Sequence, residues 1–150
     1  MPAFHAPSVW LETPEGWQDA SAYILTGPAL VGFKTNVVVS MSRDVLDPYL
    51  KRHVDIQAGE MQKTLPGFTL ISRSEVARVD FGDTATMEFE WTSAEAGARL
   101  HQYQLYVLSN QTLYTVTATA PSAHWHQVEQ TLMRVVHSVR PKIWPVAPTV

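Results

Sequence analysis

The chain has 150 residues, no cysteine, eleven Lys and Arg against fourteen Asp and Glu, and a formal charge of −3. Thiol catalysis, cysteine-ligated metal and lipid attachment through cysteine are excluded, and the length suits one domain that buries about 70% of the surface its unfolded chain exposes. The basic residues are spread along the chain with no phosphate-tracking stripe, so nucleic acid is not an expected partner and the aromatics read as core or interface. Met1 to Ser8 lacks a basic segment followed by an apolar run, and no stretch approaches the roughly 18 apolar residues of a membrane span. A soluble, unexported protein is the expectation, and the reducing cytosol suits a chain without cysteine.

Val9 to Glu12 reads as a short strand, ended by the turn Thr13-Pro14-Glu15-Gly16. Asp19 to Thr26 forms a hairpin with it, Ala20, Ala22 and Ile24 facing opposite to Ser21, Tyr23 and Leu25. Gly27 to Gly32 reads as a loop. Lys34 to Ser42 is a strand with Val37, Val39 and Met41 opposed to Asn36, Val38 and Ser40, and its three consecutive valines suggest cover on both faces. Asp47-Pro48 suits a helix start, the carboxylate accepting free backbone N–H groups. Leu50, Val54, Ala58, Met61 and Leu65 then fall on one helical stripe, ended by Pro66-Gly67. Gly59 inside this helix hints at a close neighbour.

Phe68 to Val79 returns as a strand that becomes irregular after Ser72. The long meander follows: Thr84 to Trp91, Arg99 to Ser109 and Thr112 to Ala120, with Asn110 and Gln111 as the second turn. In its middle strand Tyr103, Leu105 and Val107 face one way, and Gln102, Gln104, Tyr106 and Leu108 the other. Pro121-Ser122 begins a second helix, with Ser122 as its cap and Trp125, Val128, Leu132, Val135, Val136 and Val139 as its stripe, stopped at Arg140-Pro141. The tail, Lys142 to Val150, carries Pro145 and Pro148 and reads as extended. One α+β domain over residues 1–141, followed by a proline-rich tail over 142–150, is the expected organisation.

Catalytic signals are weak. His124 and His126 do not share a helical face and have no HExxH companion, so they read as surface histidines. Glu88 and Glu90 share one strand face, which a carboxylate-pair hydrolase could use, although alternation alone predicts a solvated face there. No GxSxG elbow and no glycine-rich phosphate loop is present. No catalytic residue, cofactor or metal is expected. Gln102 and Gln104 stand out, because two amides among apolar neighbours either meet solvent or hydrogen-bond a partner. Ile24, Val37 and Val39 fit either a core or a binding surface.

Several landmarks carry a family resemblance. These are Thr13-Pro14-Glu15-Gly16-Trp17-Gln18-Asp19-Ala20-Ser21; Asn36-Val37-Val38-Val39-Ser40 followed by Arg43-Asp44; and Leu65-Pro66-Gly67-Phe68, Trp91, Gln102-Tyr103-Gln104 and Thr115-Val116-Thr117. Their order resembles the DcrB-like family over roughly residues 9 to 140, with Thr13 standing where leucine is usual and Ser40-Met41-Ser42-Arg43 longer than the usual serine-arginine step. The resemblance implies an antiparallel sheet of about six to seven strands flanked by two main helices, similar to PsbP and the Ran-binding Mog protein.

DcrB itself is an envelope lipoprotein with a signal sequence and a lipidated cysteine, neither of which is found in this chain. The resemblance therefore points to the branch of stand-alone cytoplasmic Eag-type chaperones of bacterial type VI secretion. These bind N-terminal transmembrane segments of effectors that carry a spike-tip PAAR domain. It implies a homodimer, an apolar groove lined by Ile24, Val37 and Val39, and client-touching amides at Gln57, Gln102 and Gln104. A glutamine carbonyl would meet Cα–H groups of the client helix. The alternatives are an envelope-associated DcrB-like binding protein, or a hydrolase built on Glu88 and Glu90 or on a histidine-bound metal.

Overall fold

The computed structural model describes residues 14–16, 22–30 and 32–142. The strand expected at Val9 to Glu12, the first residues of the strand expected from Asp19, and the tail beyond Lys142 lie outside the described residues. Those described form β1 (Ala22–Leu30), β2 (Phe33–Ser42), α1 (Leu50–Thr64), β3 (Thr69–Arg73), β4 (Ala77–Val79), β5 (Gly82–Ser93), β6 (Ala98–Ser109), β7 (Thr112–Pro121) and α2 (Trp125–Val136). The strands make one antiparallel sheet in the order β1-β2-β7-β6-β5-β3, with β4 also paired to β5.

The meander forms where the alternating sequence places it. Its long pairings run from Asp83 opposite Leu108 to Ser93 opposite Ala98, and from Leu100 opposite Pro121 to Ser109 opposite Thr112. Asn110 and Gln111 hold φ values of +48° and +62°, the left-handed geometry that a two-residue hairpin demands. At the same end of the sheet, where β4 turns into β5, Gly82 has φ +142°, and a Cβ there would run into the Leu108 carbonyl.

Two sequence expectations shift, at Gly27 to Gly32 and at Ser122, while the irregularity expected after Ser72 is found. The loop expected over Gly27 to Gly32 is mostly strand: β1 continues through Gly27 and Pro28 to Leu30, with a register shift between Thr26 and Ala29. A proline is tolerated there because β1 has no neighbour on its outer side among the described residues, and the bulge takes up the misfit. The irregular return strand is two pieces, β3 and β4, on the same side of β5, with a further register shift between Leu70 and Ser72. Ser122 heads a 3-10 turn over Ser122–His124 and caps nothing; its buried hydroxyl has no hydrogen-bond partner.

Asp47 does accept a backbone N–H, that of Tyr49 at 3.0 Å, one residue before α1 begins. That bond holds its carboxyl below the usual carboxylate range. Arg99 ties the chain after α1 back to the sheet: its guanidinium donates to the Gly67 carbonyl and to the Thr92 and Thr69 hydroxyls at 3.0 to 3.2 Å.

The two helices lie on opposite faces of the sheet and are offset. α1 packs Leu50, Val54 and Met61 against Ala85, Met87 and Phe89 of β5 and Tyr106 and Leu108 of β6. α2 packs Trp125, Leu132 and Val136 against Val107 of β6, Val116, Ala118 and Ala120 of β7 and Val37 of β2. Each face is therefore covered over one half only by a described helix.

Among the described residues the close neighbour expected at Gly59 is not there, since a Cβ at this helical position would meet none of their atoms within 4 Å. Its effect is then mainly on backbone entropy. Gly59→Ala is expected to raise the unfolding free energy by about 0.5 to 1 kcal/mol, read as a higher urea midpoint at unchanged slope. A lower midpoint would mean that the glycine serves a contact after all.

Candidate functional site

The half of the sheet that α1 leaves open is organised as cross-strand rows, because directly paired residues share a face. One row runs Phe89, Gln102, Thr119, Asn36, Thr26; the next Met87, Gln104, Thr117, Val38, Ile24; the third Ala85, Tyr106, Thr115, Ser40, Ala22. Each starts on a buried apolar residue beneath α1 and ends on an exposed residue of β1, where Ile24 is 59% exposed, although Thr119 within the first row is itself buried. From the glutamines outward no residue in these rows carries a formal charge. The result is a trough floored by β6, β7, β2 and β1, uncharged along these three rows, and walled on one side by α1. Lys34, two residues before Asn36, stands at its end and Glu60, one turn from Gln57, on its wall.

The floor is held by side-chain hydrogen bonds. Trp91 Nε1–H donates to Gln102 Oε1 at 2.7 Å, and Gln102 Nε2 donates to Thr119 Oγ1 at 2.7 Å. One row over, the Tyr106 hydroxyl donates to Gln104 Oε1, and Gln104 Nε2 donates to Thr117 Oγ1 at 3.1 Å. An indole nitrogen can only donate, so the orientation of the Gln102 amide follows from its chemistry. Burial pushes the Tyr106 hydroxyl far above the ordinary phenol range, so it stays protonated and available as a donor.

Gln57 belongs to the wall. Asp55, on the same helix, is bound to Arg73 of β3 at 2.6 Å and to Lys51 at 2.9 Å, which fixes that flank of α1 towards the β3 edge. Those two hydrogen bonds also lower the Asp55 carboxyl below its ordinary range. Gln57 lies two positions on, roughly 200° round the helix, so its exposed amide sits on the flank turned towards the trough. On the β3 side a cavity of about 270 Å³ separates α1 from the chain between β3 and β4, but its lining includes the same Lys51, Asp55 and Arg73, already joined to one another.

The residues expected in a single groove do not all meet. Ile24, Gln57, Gln102 and Gln104 share the α1 side of the sheet. Val37 and Val39 lie on the opposite face: Val37 is 3% exposed in the core beneath α2, and Val39 is half-buried against the same cluster. The reason is register. Ile24 pairs with Val38, so Val38 is the valine that shares its face, and a period of two sends Val37 and Val39 the other way. Sequence reasoning missed Val38, Trp91 and the three threonines as members of this surface. The alternation Thr115-x-Thr117-x-Thr119 was a usable signal, but only pairing with β6 shows what the hydroxyls bond.

The open half of the other face is charged. Glu88 and Glu90 of β5 flank His101, with His101 Nε2 3.5 Å from Glu88 Oε2 and Nδ1 4.0 Å from Glu90 Oε1. The imidazole is 8% exposed and stacks on Trp125, ring centres 3.9 Å apart. Arg99 Nε lies 3.6 Å from the second oxygen of Glu90. His124 contacts Gln127, His126 is exposed, and no group of three His, Asp or Glu among the described residues could hold a metal ion.

Tyr106→Phe leaves the aromatic ring and removes the donor to Gln104. It is expected to lower the unfolding free energy by about 1 to 2 kcal/mol, measured by urea denaturation, because the amide oxygen then lacks its partner in a half-buried site. An unchanged midpoint would show that the hydroxyl contributes nothing to holding Gln104.

Among solved structures the fold is shared with a Pseudomonas aeruginosa protein of unknown function, PA94, at 23% identity and a TM-score of 0.74, over 89% of this chain and 92% of that one. It is also shared with Mycobacterium tuberculosis LpqN, involved in cell envelope biogenesis, at 14% identity and a TM-score of 0.52, over 85% and 88% of the two chains. Cyanobacterial PsbP from Synechocystis matches at 14% identity and a TM-score of 0.51, over 85% of this chain and 96% of its own. The architecture is thus the PsbP-like α+β fold expected from the sequence. No curated protein sequence matches the chain. The family model that does match is DcrB, over residues 10–138. This chain belongs to the DcrB family.

Proposed function

We propose that this protein is a chaperone or adaptor that holds the apolar, membrane-type helices of a secreted effector. The client would carry such segments at its N-terminus, beside a PAAR domain, and the protein would act in the cytoplasm as a homodimer that helps load it onto a type VI secretion spike. This is the work of the Eag-type branch that the sequence resembles. The reading needs no catalytic step and no cofactor.

One observation carries it: the two open halves of the sheet differ in charge. A membrane-type helix in water exposes about 20 apolar residues and must be covered by a surface that loses little on desolvation. Covering the Glu88, Glu90 and Arg99 side would strip water from ionised groups, at a cost of several kcal/mol where they are left imperfectly paired. The three floor rows carry no charge, their amides are already bonded to the sheet, and Ile24 and Val38 give the floor apolar area.

The test is co-expression with the N-terminal segment of a PAAR-domain effector encoded nearby, followed by affinity purification. Recovery of a soluble complex of defined stoichiometry is expected, from a segment that is insoluble alone. Ile24→Asp places a carboxylate at the exposed rim without entering the core, and is expected to cut recovery at least about tenfold while the free protein keeps its urea midpoint. A protein that leaves the segment in the pellet would contradict the reading.

A further inference from the structure

In the charged corner Glu88 is left without a counter-ion. Among the described residues it has no lysine or arginine within ion-pair distance and accepts no hydrogen bond, although its side chain is only 19% exposed. The nearest nitrogen is that of His101, whose Nε2 lies 3.5 Å from Glu88 Oε2, too far for a normal N–H···O bond. That nitrogen is itself buried and has no hydrogen-bond partner. Glu90 and Arg99 offset each other, with Arg99 Nε at 3.6 Å. The terminal nitrogens of the same guanidinium are spent on the Gly67 carbonyl and on the Thr92 and Thr69 hydroxyls. Tyr103, directly across the strand pair from Glu88, is bonded to His137 at the end of α2. The charge that remains on this half-face is that of Glu88.

A half-buried carboxylate without a partner has lost part of its hydration and gained no compensating charge. A neutral cover would worsen that imbalance, whereas a cation removes it. We infer that this half-face is a second interaction surface, and that its occupant is a protein segment carrying an arginine that seats on Glu88. A guanidinium fits because its planar fork donates two N–H groups to one carboxylate. A free small cation would gain too little from one carboxylate at an open surface to stay bound, so the arginine belongs to a segment with further contacts. Hydroxyls for such contacts stand beside the carboxylate. Ser72 of β3 is paired with Glu88 on its other side, and Thr86 precedes it by two residues on the same face of β5. His101 backs the carboxylate from within the protein, which leaves its solvent side to the ligand. The surface lies on the face opposite the trough, so the inference does not rest on the chaperone reading.

The test uses the full chain and two capped peptides, one of alternating threonine and arginine, the other with citrulline in place of arginine. Citrulline keeps the shape of the side chain and removes its charge. The arginine peptide is expected to bind at least about tenfold more tightly, and to shift ¹⁵N–¹H signals around Glu88 and His101 on β5 and β6. Glu88→Gln is expected to abolish that preference while most backbone signals of the free protein stay in place. Glu95→Gln, which removes the same charge in the exposed turn between β5 and β6, is expected to retain it.

Equal losses in Glu88→Gln and Glu95→Gln would reveal only general attraction to a protein of formal charge −3 and would overturn the site. Equal binding of the two peptides by wild type would overturn the guanidinium assignment, as would arginine-dependent shifts confined to other surfaces. None of these outcomes bears on whether the trough holds a client.

Discussion

The arrangement depends on one constraint: a broad antiparallel sheet has only two described helices to cover it, one per face. They pack on different halves because the apolar residues are distributed that way. Ala85, Met87 and Phe89 concentrate under α1 on β5, while Val37, Val116, Ala118 and Ala120 concentrate under α2 on β2 and β7. Each strand contributes side chains to both faces, so what is core on one face is matched by a polar or half-exposed position behind it. Behind Val116 and Ala118 stand Thr115, Thr117 and Thr119.

The trough is the polar reverse side of the α2 core, made orderly by hydrogen bonds. Threonine suits it twice, since its branched Cβ fits the pleated surface and its hydroxyl accepts the glutamine N–H across the strand pair. Trp91 and Tyr106 then link that polar surface to the core under α1, so the glutamines stand at the boundary between packing and open floor. On the opposite corner the same geometry yields a charged cluster, where Glu88 and Glu90 bracket the stacked imidazole of His101.

Much of the fold was legible because alternation over strands as long as β5 and β6 fixes both secondary structure and face. The stripes of α1 and α2 were legible for the same reason at helical period. What failed was local or paired. The strand through Gly27 and Pro28 looked like a loop, because turn chemistry there is overruled by pairing with β2 at an edge. Ile24 was grouped with Val37 and Val39, since a sequence gives the faces within a strand but not which face of one strand matches which face of the next. The bonds of Gln102 and Gln104 were invisible for a related reason: their partners lie on β5, β6 and β7, and only register brings them together.

The central proposal is that the trough with the uncharged floor rows, and not the charged corner behind it, is the surface that would receive a client. Chemical-shift mapping of the protein bound to the effector's N-terminal segment tests it most directly. The account predicts shifts in the side-chain amides of Gln57, Gln102 and Gln104 and along the backbone of β1 and β2, with Glu88, Glu90 and His101 silent. Shifts centred on Glu88, Glu90 and His101, with the glutamine amides unmoved, would contradict it.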